Sequence, residues 1–204
     1  RTINGASFDI SSQPPATESI ITRRPARAEN RRVADGPIGI EDGYIPDGDV
    51  LSPWDTDHPA VMNLDPDLLH AVQRAAVDAE AEGIVLVINS GWRSERYQQT
   101  LLDEAVVTYG SEEEARKWVN SPDASTHVTG DGVDIGYTDA DYWLIEHGNA
   151  YGLCQTYENE IWHFELAVEP GGTCPPPLPD ASGSAEVTAA PEAVTPYQVR
   201  MTSR

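Results

Sequence analysis

The stretch Ser-Thr-His-Val-Thr-Gly-Asp-Gly-Val-Asp sets His127 seven residues before Asp134, and Glu-Asn-Glu-Ile-Trp-His-Phe-Glu sets Glu160 three residues before His163. Imidazole and carboxylate are the side chains that move protons near neutral pH and ligate transition metals. Two imidazoles and one carboxylate from His127, Asp134 and His163 fill three corners of a tetrahedron. The fourth stays open, as in a catalytic zinc site whose bound water has a pKa of about 7. Glu160 then stands close enough to take a proton from such a water. On spacing alone the bland readings stand as well: an exposed pair or capped turn for His127 and Asp134, and an exposed acid beside a core histidine for Glu160 and His163.

Something must bring these side chains together. If Val133 and Ile135 face a core, the period-two rule sends Asp134 to the other face of its strand, and His163 leaves the strand Ile161–Leu166 on the face opposite Trp162. Gly130 and Gly132 let the segment carrying His127 turn tightly toward them. Upstream, Asp65-Pro66 reads as the start of a helix whose stripe of Leu68, Leu69, Val72, Ala75, Ala76 and Ala79 ends at Gly83. Ile84–Ile88 reads as a short buried strand, and Ser94 as the cap of a helix through Tyr109, stopped at Gly110. Ser111 with Glu114, and Thr138 with Asp141, have the capping-box spacing for two more helices, the first through Val119. The expected class is α+β, with helices packed on a small antiparallel sheet that carries the cleft.

Three motifs in chain order then resemble a known family. Ser90-Gly-Trp-Arg-Ser94, the Ser125, His127, Gly130, Asp134 set and the Glu160, Trp162, His163 set are similar to those of the zinc D-alanyl-D-alanine carboxypeptidases and dipeptidases of the VanY and VanX type. The resemblance covers about Asp65 to Leu166. It implies a fold shared with lysostaphin-type peptidases and the hedgehog signalling domain, one Zn²⁺ per chain on His127, Asp134 and His163, and Glu160 as catalytic base. Arg93 matches the arginine that approaches the substrate carbonyl. Ser125, Gln98 and Trp162 are expected to touch substrate. The implied partner is a peptidoglycan stem peptide or a small peptide containing D-Ala-D-Ala, cut as a carboxypeptidase. A dipeptidase, an L-D endopeptidase and an inactive zinc-containing cell-wall binding module are the alternatives. Relatives usually carry alanine where this chain has Gly132, and Asp131 adds a negative charge beside it, so ligand geometry is the place to look for a departure.

The remainder of the sequence bounds these readings. The formal charge is −21, and six of the thirteen basic residues fall within Arg1–Arg32, which excludes a phosphate-tracking surface and makes nucleic acid an unsuitable partner. Residues 1–40, rich in Pro, Ser, Arg and Gly, and 171–204, rich in Pro, Ala, Thr and Glu, bury too little apolar surface, so the working domain is expected at 41–170, between an extended or poorly ordered N-terminal segment and a C-terminal tail. Cys154 and Cys174 are the two cysteines. They fit one disulfide and an oxidising compartment, with two buried thiols as the alternative. No apolar window reaches the roughly 18 residues that span a bilayer. A chain opening on Arg reads as a processed or trimmed product, so the lack of a leader leaves a secreted or cell-wall location standing. The loop Glu-Asp-Gly-Tyr-Ile-Pro-Asp-Gly-Asp suggests calcium at Asp47 or Asp49, but calcium prefers six to eight oxygens and no imidazole, so the histidines point to zinc at the main site.

Overall fold

Asp65 accepts hydrogen bonds from the amides of Asp67 at 2.9 Å and Leu68 at 3.2 Å, and Pro66 fills a first position that needs no donor, so helix α2 (Pro66–Ala81) starts where its sequence directs. The computed structural model describes residues 36–183. Before α2 comes the single turn α1 (Pro59–Met62). After it, in order, come β1 (Val87–Ser90), α3 (Glu95–Tyr109), α4 (Glu112–Ala115), α5 (Thr126–Thr129), β2 (Gly132–Gly136), α6 (Thr138–His147), β3 (Leu153–Tyr157) and β4 (Glu160–Leu166). The four strands form one antiparallel sheet in the order β1-β2-β4-β3, so the α+β expectation holds.

The core lies on one face of this sheet. Leu68, Ala71, Val72, Ala75, Ala76 and Ala79 of α2, with Ala140, Trp143 and Leu144 of α6, pack on Ile88, Val133, Ile135, Leu153 and Phe164. Apolar burial on that face holds the strands at fixed height and leaves the opposite face for polar side chains.

Several elements sit differently from their sequence signals. Residues 84–86 do not pair, because Gly83 at φ +83° closes α2 and the Ile84 amide donates to Ala79 O at 2.9 Å. The strand therefore begins at Val87. Helix α4 stops at Ala115, and the chain turns so that Trp118 and Val119 line a cleft. Tyr137, not Thr138, is the N-cap of α6. Strand β3 has no clear alternation in its sequence, and it forms because β4 offers it an edge. His127 lies in the one-turn helix α5 instead of a loop.

At the other end, residues 171–183 are fastened to the domain. Cys154 and Cys174 form a disulfide, Leu178 bridges Tyr157 in parallel, and Ala181 is buried. The composition of this segment is tail-like, yet a covalent tie and two backbone hydrogen bonds to the β3 edge offset the entropy of ordering it. Of the expected terminal segments 1–40 and 171–204, residues 1–35 and 184–204 lie outside the described residues.

Gly130 ends α5 at φ +86°, and a Cβ there would collide with the carbonyl oxygen of Asn63. Gly110, at φ +85°, has open space around it. Gly110→Ala should therefore cost about 1 kcal/mol for the left-handed backbone alone. Gly130→Ala should cost roughly 1–3 kcal/mol more, because Asn63 must also move. Urea unfolding of the two variants measures the difference directly.

Candidate active site

Antiparallel pairing of β2 with β4 sets Asp134 directly opposite His163. Val133 and Ile135, both fully buried, anchor β2 to the core, so Asp134 emerges on the far face as alternation requires. His163 Nδ1 lies 2.9 Å from Asp134 Oδ1, and His127 Nε2 lies 3.3 Å from the same oxygen. One ligand atom from each of the three residues falls within 4.8 Å of the others, and all three residues are buried.

The outward nitrogens are also held. His127 Nδ1 sits 2.8 Å from Gly91 O, and His163 Nε2 sits 3.0 Å from Glu165 Oε1, which also accepts the Thr126 hydroxyl at 3.0 Å. Each ring can thus donate its outer N–H to an oxygen and aim its inner nitrogen at Asp134, the orienting arrangement that metal-ligating imidazoles use. Two inward nitrogens and a carboxylate oxygen, crowded together and braced from behind, fit a divalent transition ion.

The charges follow from burial and neighbours. Burial would push the Asp134 carboxyl up, but His127, His163 and Arg93 hold it well below the usual range, so it is ionised. Burial and the Arg93 charge lower the His127 pKa and favour a neutral imidazole with a free lone pair. At His163 burial opposes the charge, yet hydrogen bonds to Asp134 and Glu165 raise its pKa to about 9. Burial pushes Glu160 up to about 7, and its Oε1 has no hydrogen-bond partner.

These groups open onto a cleft of about 270 Å³ lined by Arg93, Gln98, Ser125, Glu160 and Trp162 among others. All the site residues expected from sequence are therefore brought to one place. Arg93 donates from Nε to Ser90 Oγ at 2.8 Å, from Nη1 to Gln98 Oε1 at 3.1 Å and from Nη2 to Asp134 Oδ2 at 2.9 Å. Gln98 is 1% exposed and donates to Asn120 O at 2.8 Å, so it braces Arg93 from the protein side. The Ser125 side chain caps no amide, and the residue is buried on the cleft wall. Trp162 stays 38% exposed at the cleft, which Trp118 also lines, whereas Trp143 packs in the core and Trp54 lies on the surface.

The structure adds residues that spacing did not single out. Glu165 lies two positions after His163 on the same strand face, a placement that strand alternation encodes. Tyr157, whose ring centroid is 5.1 Å from His163, and Ala181 reach the cleft from elements with no sequence signature. Gly132 has no room for the alanine that the resemblance implies unless a neighbour shifts: a Cβ would collide with Thr126 Oγ1 and lie 2.9 Å from His163 Cε1. In this chain the Thr126 side chain takes that space.

A family model described as VanY, D-alanyl-D-alanine carboxypeptidase, matches residues 61–170, more than half of the chain. The D-alanyl-D-alanine carboxypeptidase of Enterococcus faecalis is 29% identical over 42% of this chain and 41% of its own length, so this chain spans about two fifths of that relative. Among solved structures, VanYB in complex with D-Alanine-D-Alanine is 26% identical over 50% of this chain and 70% of its own, with a TM-score of 0.48. A VanY D,D-pentapeptidase from a VanB-type resistance cassette, in complex with Zn(II), is 23% identical over 61% and 77%, with a TM-score of 0.48.

Glu160 carries a pH signature. Its ordinary value of 4.5 is raised to about 7 in the fold, so the folded state holds the proton more tightly than the unfolded chain. That stabilisation is complete below pH 4.5 and is lost as pH rises through 7. For metal-free protein, Glu160→Gln should match wild type more closely at pH 4 than at pH 8. At pH 8 the variant should gain up to about 3 kcal/mol relative to that comparison, read from urea midpoints at both values.

Proposed function

Because this chain belongs to the VanY family of D-alanyl-D-alanine carboxypeptidases, we propose that it is a zinc-dependent carboxypeptidase that removes the terminal D-Ala of peptidoglycan stem peptides outside the cell membrane. The observation that carries the reading is the Glu160 carboxyl. It is buried, has an unpartnered Oε1, and opens onto the same cleft as the His127, Asp134 and His163 cluster. A purely structural metal site has no use for a base held near neutrality. The expected location is consistent with the Cys154–Cys174 disulfide, and no helix among the described residues is long and apolar enough to cross a membrane.

His127 Nε2, Asp134 Oδ1 and His163 Nδ1 would hold the ion. Zinc bound there would supply Lewis acidity toward the scissile carbonyl and would lower the pKa of a water to about 7. Glu160, with a pKa of about 7, takes the proton of the attacking water and returns it to the leaving amine. Arg93 uses three of the five guanidinium N–H donors on Ser90, Gln98 and Asp134, which leaves donors for the oxyanion that develops as the amide is attacked. Because Gln98 and Ser90 fix the guanidinium from behind, that donor needs no reorganisation when charge appears. Ser125 offers its hydroxyl to the substrate main chain, and Trp162 forms one wall.

Zinc-loaded wild type is expected to release D-Ala from a stem pentapeptide. Glu160→Ala should lower the rate by about 10²–10⁴-fold with zinc content unchanged by atomic absorption. A zinc-replete wild type inert on the pentapeptide, on free D-Ala-D-Ala and on longer muropeptides would reject peptidase activity in favour of a binding module. Arg93→Lys keeps the charge and loses the fork, so kcat should fall by about 10²–10³-fold. An unchanged kcat in that variant would remove Arg93 from the mechanism.

A further inference from the structure

The cleft has one wall that the family match does not include. The matched region ends at residue 170, whereas Ala181 lines the cleft and is 3% exposed. The segment that delivers it is fastened at several points. Cys174 is bonded to Cys154 on β3, with Cα atoms 5.7 Å apart. Leu178 N donates to Thr156 O at 2.8 Å, and Glu158 N donates to Leu178 O at 2.7 Å, so the segment runs as a short parallel addition to the sheet edge beside Tyr157. Ala181 N then donates to Lys117 O at 3.3 Å, an oxygen that also accepts Asn159 Nδ2 at 2.9 Å. One carbonyl thus joins the strap, the β3–β4 turn and the loop carrying Trp118 and Val119.

We propose that residues 174–183 form a disulfide-tethered wall of the cleft, and that Ala181 on this wall sizes the subsite for a small apolar side chain of the substrate peptide. The inference rests on the peptidase reading above and deepens it. Leu101, Trp118, Val119 and Ala181 give the cleft an apolar side, which suits an alkyl group and leaves the polar groups to Glu160, Arg93 and the metal-ligand cluster. Backbone bonds at 178 and 181 and the covalent tie at 174 prevent the strap from retreating. On this reading a larger side chain at 181 enters the cleft and narrows it. Because the wall lies outside the matched region, this dimension is set by the chain's own C-terminal segment.

The test is a panel of zinc-loaded variants assayed on stem peptides whose last two residues are D-Ala, Gly or D-Leu in turn, with binding of the same peptides to Glu160→Gln protein measured by calorimetry. Ala181→Leu should lower kcat/KM about tenfold or more for peptides ending in two alanines and leave one glycine-bearing peptide within about threefold of wild type. The double variant Cys154→Ser, Cys174→Ser frees the strap and should raise the relative rate on a leucine-bearing peptide, as should Leu178→Ala, which loosens the strap without touching the disulfide. Circular dichroism and zinc content report folding of each protein. If wild type neither cleaves nor binds any peptide of the panel, the peptidase reading fails and the strap proposal falls with it. If peptides are cleaved or bound with the same side-chain preference in wild type, Ala181→Leu and Leu178→Ala, the strap proposal alone is overturned.

Discussion

The register of β2 against β4 is the constraint on which the site depends. Asp134 faces His163 across the pair, so a slip of one residue would turn either side chain into the core and bring Val133 or Phe164 into the cleft. The slip is prevented on the other face of the sheet. Val133, Ile135 and Phe164 are fully buried against α2 and α6, and exposing that set would forfeit several kcal/mol of apolar burial. The chemistry of the cleft is therefore held in place by hydrophobic packing one side chain's thickness away.

Around that register the charges form a braced set. Asp134 is buried and ionised because Arg93 and both imidazoles surround it, and a lone buried carboxylate would instead have taken up a proton. Arg93 is in turn fixed by Ser90 and Gln98, and the loop that carries it is tied down by backbone bonds from Trp92 N to Ala60 O and from Arg93 N to His127 O. Behind the loop, the buried Asp42 accepts from Ser94 Oγ at 2.7 Å and pairs with Arg96. Glu160 and Asp141 are both buried carboxyls with an unsatisfied oxygen, and of the two Glu160 lines the cleft.

Much of the fold was legible because local signals and packing agree. In α2, the Asp65 cap, Pro66 and the apolar stripe all indicate one helix, and the same holds for α3 between Ser94 and Gly110. Signals failed where a neighbour decided. Ile84–Leu86 has strand composition but is drawn away by the helix cap, β3 exists because β4 lends it an edge, and Thr138 yields the cap of α6 to Tyr137. Gly132 illustrates the same limit at the site: its residue type can be read, but the reason alanine does not fit is the position of Thr126, six residues away on another element.

By itself the sequence determined the candidate reacting groups. The residue types and spacings of His127, Asp134, Glu160 and His163, with Arg93 in its glycine-flanked loop, define which atoms can bind a metal, move a proton and meet an oxyanion, since those properties belong to side-chain chemistry. Tertiary structure decided which nitrogen of each histidine faces inward, through Gly91 O and Glu165. It also decided that Gln98 serves Arg93, and that the segment at 174–183 comes back to wall the cleft. Those outcomes depend on contacts between elements far apart in the chain, and no local periodicity or propensity encodes such distances.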